Sequence, residues 1–309
     1  MHVRRLLCAA SFAAPVVAWG AAGHEIVATI AQIHLHPSVF PRMCDVLNFT
    51  SRNPDEWPCH LAPVATWADT NRNKMRWSAP MHYVGAVGDH PSQLCAFPGR
   101  DPGGQSFEVA NEALKFLVHF LGDMHMPLHL TGRDRGGNLN KVLFGGRQTN
   151  LHSLWDGLLI AKALQRVVFA RHDLRLRHEI TDWLACPAPP HPSLTPFGSL
   201  AEQVLVFWQR FVTRDAALDT DDELICPYAW ARPIHAFNCD LVWPPTLDQP
   251  PYDEGGPPYL ELDTPNYSGV IARDWVVEKL LAQAGIRLAG ILNYLFAEYE
   301  GEGKLRVYS

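Results

Sequence analysis

The chain has 309 residues, of which 47% are apolar and 19% charged, so it can bury a core and is neither disordered nor a coiled coil. Its length fits one large domain or two ordinary ones. Acidic residues outnumber basic ones by 32 to 26, which argues against a protein that holds nucleic acid through a basic surface, since such binding depends on Lys and Arg neutralising phosphates. Fifteen histidines are the unusual part of this composition.

The first residues, 1–18, have the pattern of a secretory signal peptide. Two arginines near the start are followed by an apolar run at 6–17, which is too short to cross a bilayer. We predict cleavage after Ala18, which leaves a mature domain at 19–309 that begins with Trp19. A buried first helix is the alternative interpretation. No later stretch is apolar for long enough to span a membrane, so no membrane anchor is expected.

The mature chain is predicted to be mainly helical. Apolar residues recur at helical spacing in the segments 23–35, 107–126, 151–168, 173–185, 199–215 and 273–300. Pro127 ends the second segment, and Ser199 with Glu202 is typical of a capping box at the start of the fifth. Strand signals are few. Proline-rich segments at 186–198 and 243–258 are interpreted as surface loops over one core, because apolar helices and cysteines flank both. We therefore predict a single, mainly α domain.

Secretion changes what the cysteines imply. Six of them follow the predicted cleavage point, an even number on an oxidising route, so we expect three disulfides. These are Cys44, Cys59, Cys95, Cys186, Cys226 and Cys239. The sequence alone allows fifteen pairings, among which the short loop favours Cys44–Cys59. Asn-X-Ser/Thr sequons at Asn48 and Asn266 predict N-linked glycans.

Two predicted helices each carry a histidine and an aspartate four residues apart, which places both side chains on one helix face. These pairs are His119 with Asp123 and His152 with Asp156, and His129 follows the first pair just past a proline. Imidazole and carboxylate are ligands that Zn²⁺ takes in proteins. Capping and core hydrogen bonds would explain one such pair, but burying two pairs is costly without a further partner. The spacing therefore favours a metal site.

Three residues upstream are further candidates for this site. Asp69 and His82 lie in short polar segments, where each taken alone is more often a loop or core residue. His24 lies close to the predicted new N-terminus at Trp19, and it gains importance only if cleavage frees that residue. The α-amine of Trp19 would then be a nitrogen ligand, since its ordinary pKa near 8 lets it become neutral.

Several segments together resemble the motifs of a known family. They are Trp19-Gly20-x-x-Gly23-His24, Trp67-Ala68-Asp69, His82-Tyr83, His119-Phe120-Leu121-Gly122-Asp123, Pro127-Leu128-His129, Gly136-Gly137-Asn138, the run from Asn150 to Asp156 and the run from Ala284 to Ala289. In this order they resemble the nuclease S1/P1 family, secreted zinc-dependent single-strand nucleases of fungi and plants. The resemblance implies a mainly α fold of the type shared with bacterial zinc phospholipase C.

The resemblance also implies a site of three zinc ions. The implied ligands are Asp69, His82, His119 and one oxygen of Asp123 for the first zinc; His129, His152 and Asp156 for the second; and the amine and carbonyl of Trp19, His24 and the other oxygen of Asp123 for the third. Such a site would activate a water to attack phosphorus near neutral pH. The implied reaction is endonucleolytic hydrolysis of single-stranded DNA and RNA to 5′-phosphate products, with 3′-nucleotides as further substrates.

Further roles follow from the same resemblance. Arg72 would steady charge on the phosphoryl oxygens, beside Asp69 and Asp123 as the other catalytic residues. Tyr83 would stack on a base, and Gly85 stands where some members have an aspartate that contacts the base. Asn138 would support a metal ligand or contact phosphate, or else stabilise a turn.

Cys95 and Cys239 resemble a disulfide of the family, which leaves Cys186 with Cys226. We expect a secreted monomer that binds no membrane. Two other functions stay open on the sequence: a zinc phospholipase C-like phosphodiesterase that acts on phospholipid head groups, and a zinc-stabilised binding protein without catalytic activity.

Overall fold

The computed structural model describes residues 19–53, 55–84, 110–169, 183–186, 225–247 and 258–297. Its α-helices in these ranges are α1 (Ala21–Ile33), α2 (Val39–Leu47), α3 (Trp67–Asn71), α4 (Ala110–Met124), α5 (Leu151–Ser153), α6 (Leu159–Phe169), α7 (Pro227–Asp240), α8 (Ser268–Arg273) and α9 (Val276–Phe296). The prediction of a mainly α fold is confirmed. The predicted signal peptide, the predicted helix at 199–215 and most of the one at 173–185 lie outside the described residues.

The core is built around the long C-terminal helix α9. It packs along α1 and contacts α2, α4, α6 and α8, and its apolar face is buried. The sequence predicts a helix over 273–300, whereas α9 begins at Val276, because Trp275 takes a left-handed conformation with φ of 56° that separates α9 from α8. The guanidinium of Arg166 lies 4.9 Å from the centre of the Trp275 ring. This contact joins Trp275 to α6 at the break between α8 and α9. No local sequence pattern predicts the break.

The segment at 151–168 is helical as predicted, but it is not one regular helix. The side chain of Asn150 accepts a hydrogen bond from the backbone N–H of Ser153 at 2.7 Å and so caps α5. A π turn at Leu154–Leu158 then joins α5 to α6. Single π turns inside helices are frequent at functional sites, and this one contains Asp156.

A small sheet and four helices are absent from the sequence-based prediction. Strands β1 (Lys141–Phe144) and β2 (Arg147–Asn150) form an antiparallel hairpin, and β3 (Leu260–Glu261) pairs in parallel with β1. Strands this short give no measurable alternation of apolar and polar residues. The missed helices are α2, α3, α7 and α8. Helix α7 begins with a proline at its first position, where a proline is well tolerated.

Two of the three predicted disulfides and both sequons lie within the described residues. Cys44 is bonded to Cys59 and Cys186 to Cys226. Cys239 is also disulfide-bonded, while Cys95, its predicted partner, lies outside the described residues. Asn48 and Asn266 are exposed, and their glycosylation stays a prediction. In the part of the chain that the structure describes, no helix is both long and apolar enough to cross a membrane.

Candidate metal centre

The last two turns of α4 supply the centre of the site. His119 and Asp123 lie one turn apart and are buried, with the histidine Nε2 3.4 Å from Oδ2 of the aspartate. The other ring nitrogen of His119, Nδ1, donates to the backbone carbonyl of Ala65 at 2.7 Å. This bond fixes the ring so that the lone pair of Nε2 points at the carboxylates.

A first group of possible ligands joins α3 and the following 3₁₀ helix to α4. Asp69 lies in α3, and His82 is the last residue of the 3₁₀ helix Arg76–His82. The Nδ1 atom of His82 lies 3.0 Å from Oδ2 of Asp123 and 3.8 Å from Oδ1 of Asp69. His119 completes the group, with Nε2 3.7 Å from Oδ2 of Asp69. Segments far apart in sequence thus converge on one point.

A second group brings the beginning of α1 to the same carboxylate. His24 of α1 lies with Nε2 3.2 Å from Oδ1 of Asp123, and its ring stacks on His119 at 3.9 Å. This approach requires glycine at position 122, because a Cβ there would lie 2.7 Å from His24 Nδ1. Trp19 is fully buried nearby, and the next residue donates its N–H to the carbonyl of Asp156 at 2.8 Å.

A third group consists of His129, His152 and Asp156, all buried. The Nε2 atom of His152 lies 3.1 Å from Oδ2 of Asp156. Each histidine donates from Nδ1 to a backbone carbonyl at 2.7 Å, His129 to that of His82 and His152 to that of Gly136. Such backbone bonds leave Nε2 as the available ligand atom.

An unusual turn carries one of these carbonyls. Asp134, Arg135, Gly136 and Gly137 all have positive φ, from 46° to 77°. A Cβ at residue 136 would lie 2.6 Å from the carbonyl oxygen of Leu128, so only glycine fits there. Backbone strain of this kind clusters at functional sites, and here it delivers an acceptor to His152.

These donors fit divalent cations. Within each of the three groups the ligand atoms lie within 4.8 Å of one another. Several buried donor atoms make no hydrogen bond to any described residue: Nε2 of His24, His129 and His152, both oxygens of Asp69, and Oδ1 of Asp123 and Asp156. Unsatisfied buried polar atoms are costly, and a cation would satisfy them together. Mixed nitrogen and oxygen ligands suit Zn²⁺.

The charges of the protein groups prepare the site for a cation. Burial opposes ionisation of Asp123, but the charge of His119 outweighs it and holds the pKa of this carboxyl well below its ordinary value. Burial lowers the pKa of His129 to about 3 and that of His24 to about 4, so both are neutral, as metal ligands must be. Burial also raises the pKa of Asp156 to about 6, although His152 opposes the shift.

The residues predicted to contact substrate lie at the rim or outside the described ranges. The Tyr83 ring stacks on His129 at 4.7 Å, so one of its faces is covered. Arg72 is half-buried, and its charge acts on the carboxyl of Asp69 and the hydroxyl of Tyr83 alike. Asn138 donates to the carbonyl of Arg135 at 2.7 Å and so stabilises the strained turn. Gly85 lies outside the described residues.

Sequence reasoning missed the backbone groups that orient the imidazoles. The carbonyls of Ala65, His82 and Gly136 accept from three histidines of the site. Any residue can supply a backbone carbonyl, so the sequence does not show which carbonyls accept from the histidines. Only the adjacent glycines at 136 and 137 indicated an unusual backbone conformation. Sequence reasoning also assigned His119 to one metal, whereas the structure places it in two of the three groups.

Comparison with known proteins gives consistent matches. A family model described as S1/P1 Nuclease matches residues 19–101 and 100–297. Endonuclease 2 of Arabidopsis thaliana is 26% identical over 317 residues, which covers 92% of this chain and 93% of the relative. Nuclease P1 of Penicillium citrinum is 34% identical over 167 residues, or 47% of this chain and 60% of the relative. Nuclease S1 of Aspergillus oryzae is 36% identical over 159 residues, or 45% and 53%.

Proposed function

The chain belongs to the S1/P1 nuclease family, and on that premise we propose that it is a secreted zinc-dependent endonuclease of single-stranded DNA and RNA. It leaves 5′ phosphates and also removes the phosphate of 3′-nucleotides. The observation that carries the proposal is the convergence of buried His and Asp donors from α1, α3, α4 and the 127–156 segment on one point. The relatives named for nuclease activity support the same reading.

Three zinc ions would occupy the three groups of donors. Asp123 would serve two of them, since one oxygen faces His24 and the other faces His82. When bound, zinc would lower the pKa of a water and polarise the phosphoryl group. Two dications in contact with the same carboxylate need its full negative charge, which the low pKa of Asp123 supplies.

The start of the mature chain would complete the third zinc site. We infer that cleavage after Ala18 frees the amine of Trp19 beside His24. The buried Trp19 and the hydrogen bond from Gly20 to the carbonyl of Asp156 support this assignment, because they hold the residue against the site. The enzyme would then gain its full metal complement only after secretion and processing.

The rim residues would hold the substrate. Arg72 would bind phosphoryl oxygens next to the first group of ligands, and its electrostatic effect on both Asp69 and Tyr83 supports this role. Tyr83 has one ring face on His129, and its other face would stack on a single nucleobase. Stacking of this kind tolerates any base, as a nuclease of broad sequence preference requires.

The decisive experiment is digestion by the mature protein of heat-denatured DNA, duplex DNA and RNA. We expect cleavage of the denatured DNA and the RNA, loss of cleavage with a chelator and its return with Zn²⁺. Phosphatidylcholine serves as the comparison substrate. Release of phosphocholine without cleavage of denatured DNA would replace the proposal with a phospholipase function, and no cleavage of either would favour a binding protein.

A further inference from the structure

A short segment at the end of α7 is bonded to both parts of the chain that carry the third group. We name residues 238–247 the bracing segment; it comprises the last residues of α7, the turn after them and the 3₁₀ helix Pro245–Leu247. The third group takes His129 from the 3₁₀ helix Pro127–Leu130 and its other two ligands from α5 and the π turn. Hydrogen bonds of the bracing segment lead to both regions.

Asn238 holds the 3₁₀ helix that carries His129. It is buried, and its Nδ2 donates to the backbone carbonyl of Pro127 at 2.7 Å. Its Oδ1 accepts from Nε1 of Trp243 at 3.3 Å, so both polar atoms of the amide are used. Pro127 lies two residues before His129 in the same short helix, so a shift of this carbonyl would also move the imidazole.

Trp243 extends this support to the turn that orients His152. The guanidinium of Arg133 lies 3.9 Å from the centre of the Trp243 ring and donates to the carbonyl of Leu247 at 3.0 Å. Arg133 is buried and directly precedes the strained turn whose Gly136 carbonyl accepts from His152. The bracing segment therefore holds this turn as well.

Tyr267 connects the bracing segment to the π turn. Its hydroxyl donates to the carbonyl of Val242 at 2.7 Å and accepts from Nε1 of Trp155 at 2.9 Å. Trp155 and Val242 are fully buried, and Tyr267 is nearly so. Because Trp155 directly precedes Asp156 in the π turn, this pair of bonds fixes the backbone next to a candidate ligand.

The other two groups are built from an earlier part of the chain. Their candidate ligands lie in α1, α3, α4 and the 3₁₀ helix Arg76–His82. His119, which belongs to both of these groups, is oriented by the carbonyl of Ala65. The hydrogen bonds of the bracing segment described above lead to the third group instead. Because buried polar atoms are costly to leave unpaired, these bonds define the position of the backbone that carries its ligands.

We propose that Asn238 and Tyr267 are positioning residues for the third group, which set its affinity for zinc without contacting the metal. Asn238 acts through the 3₁₀ helix that carries His129. Tyr267 acts through Trp155 on the adjacent Asp156. The inference rests on the proposed zinc centre and deepens it, because it makes the affinity of one zinc ion depend on the C-terminal part of the chain.

The test measures zinc per chain while a chelator is titrated into the mature protein. In Tyr267→Phe, the chelator concentration that removes one of the three zinc ions should fall about tenfold, while the other two should leave as they do in wild type. Loss of an outer partner typically costs about 10- to 100-fold in metal affinity, and we expect the low end because Tyr267 acts through a neighbour. Tyr294→Phe, at an exposed tyrosine of α9, is the matched control.

A second variant tests the support of His129. Asn238→Leu keeps the size of the side chain but removes both of its hydrogen bonds, and it should release the same single zinc ion about tenfold more easily. Arg287→Met is the matched control, because it also loses a buried hydrogen bond, the one to His125, but should keep the zinc affinity of wild type. Tyr267→Phe retains its ring and decides the question if Asn238→Leu does not fold.

The pattern of zinc release separates a positioning role from a structural one. Easier release of one zinc ion with the other two unchanged supports the proposal. If the zinc ions leave together, or if none leaves more easily, Asn238 and Tyr267 only stabilise the fold and the proposal is overturned. A wild-type protein that binds no zinc would overturn the proposed zinc centre itself.

Discussion

Two kinds of buried histidine lie within six residues of each other on and after α4. His119 donates from Nδ1 to a carbonyl, and its Nε2 faces carboxylates. His125 is equally buried, but both of its nitrogens are used by the protein: Nδ1 donates to the carbonyl of Leu121 at 2.7 Å, and Nε2 accepts from Arg287 at 2.8 Å. Burial and the nearby guanidinium lower the pKa of His125 to about 3, so it is neutral. Protein atoms alone satisfy both nitrogens of His125, so this residue needs no cation.

The hydrogen-bond partners of the two ring nitrogens distinguish a metal-binding histidine from a structural one more clearly than burial does. A histidine with both nitrogens satisfied by protein atoms stabilises the fold. A buried histidine with one nitrogen fixed by a backbone carbonyl and the other aimed at carboxylates is arranged to bind a cation. Removing a group from the first kind of site should therefore cost stability, and removing one from the second should cost activity and bound metal.

The largest effect on activity is expected from Asp123→Asn, which removes the charge that two groups of donors share. We expect kcat to fall more than about a hundredfold, beyond what the loss of an outer-shell partner costs, together with bound zinc. Metal analysis and turnover of denatured DNA measure this. Asp45→Asn, at an exposed aspartate of α2, is the control. Near-normal turnover would refute the bridging role of Asp123.

A smaller loss is expected when one residue is added before Trp19 in the mature protein. The extra peptide bond removes the free amine while it leaves every side chain in place, so zinc per chain should fall from three toward two. Turnover should fall about tenfold or more. Trimming the extra residue with an aminopeptidase should restore both values. Full zinc content in the extended protein would show that the amine is not a ligand.

Gly136→Ala should weaken the third group without removing a ligand. The added Cβ would press on the carbonyl of Leu128 and displace the carbonyl that His152 donates to. We expect a loss of about 10- to 100-fold in zinc affinity or turnover. Gly146→Ala is a matched control, since residue 146 also has positive φ but has open space around it. Equal losses in both variants would point to backbone strain alone.

The smallest effect on activity is expected from Arg287→Met, on the structural side of the comparison. It leaves Nε2 of His125 without its donor, which should lower the free energy of unfolding by about 1–3 kcal/mol. Turnover and zinc per folded molecule should stay near wild type. Denaturant unfolding measures the first and metal analysis the second, with the exposed Arg273→Met as control. A loss of zinc at unchanged stability would contradict the structural role of His125 and Arg287.

Much of the site could be predicted because its spacing is local. Four residues separate His119 from Asp123, and helix geometry alone puts them on one face. The same spacing holds for His152 and Asp156 although a π turn replaces the regular helix there. The missed strand β3 had no such local signal, because its partner β1 lies more than a hundred residues earlier.

The sequence by itself determined the helical class, the helix faces that carry His and Asp, and the motifs of the S1/P1 nuclease family. Only the tertiary structure decided which nitrogen of each histidine faces the site and that His119 belongs to two groups. The physical reason is the distance along the sequence over which each kind of interaction acts. Backbone dihedral preferences fix neighbours a few residues apart, whereas the carbonyl of Ala65 meets His119 across 54 residues only after the elements have packed.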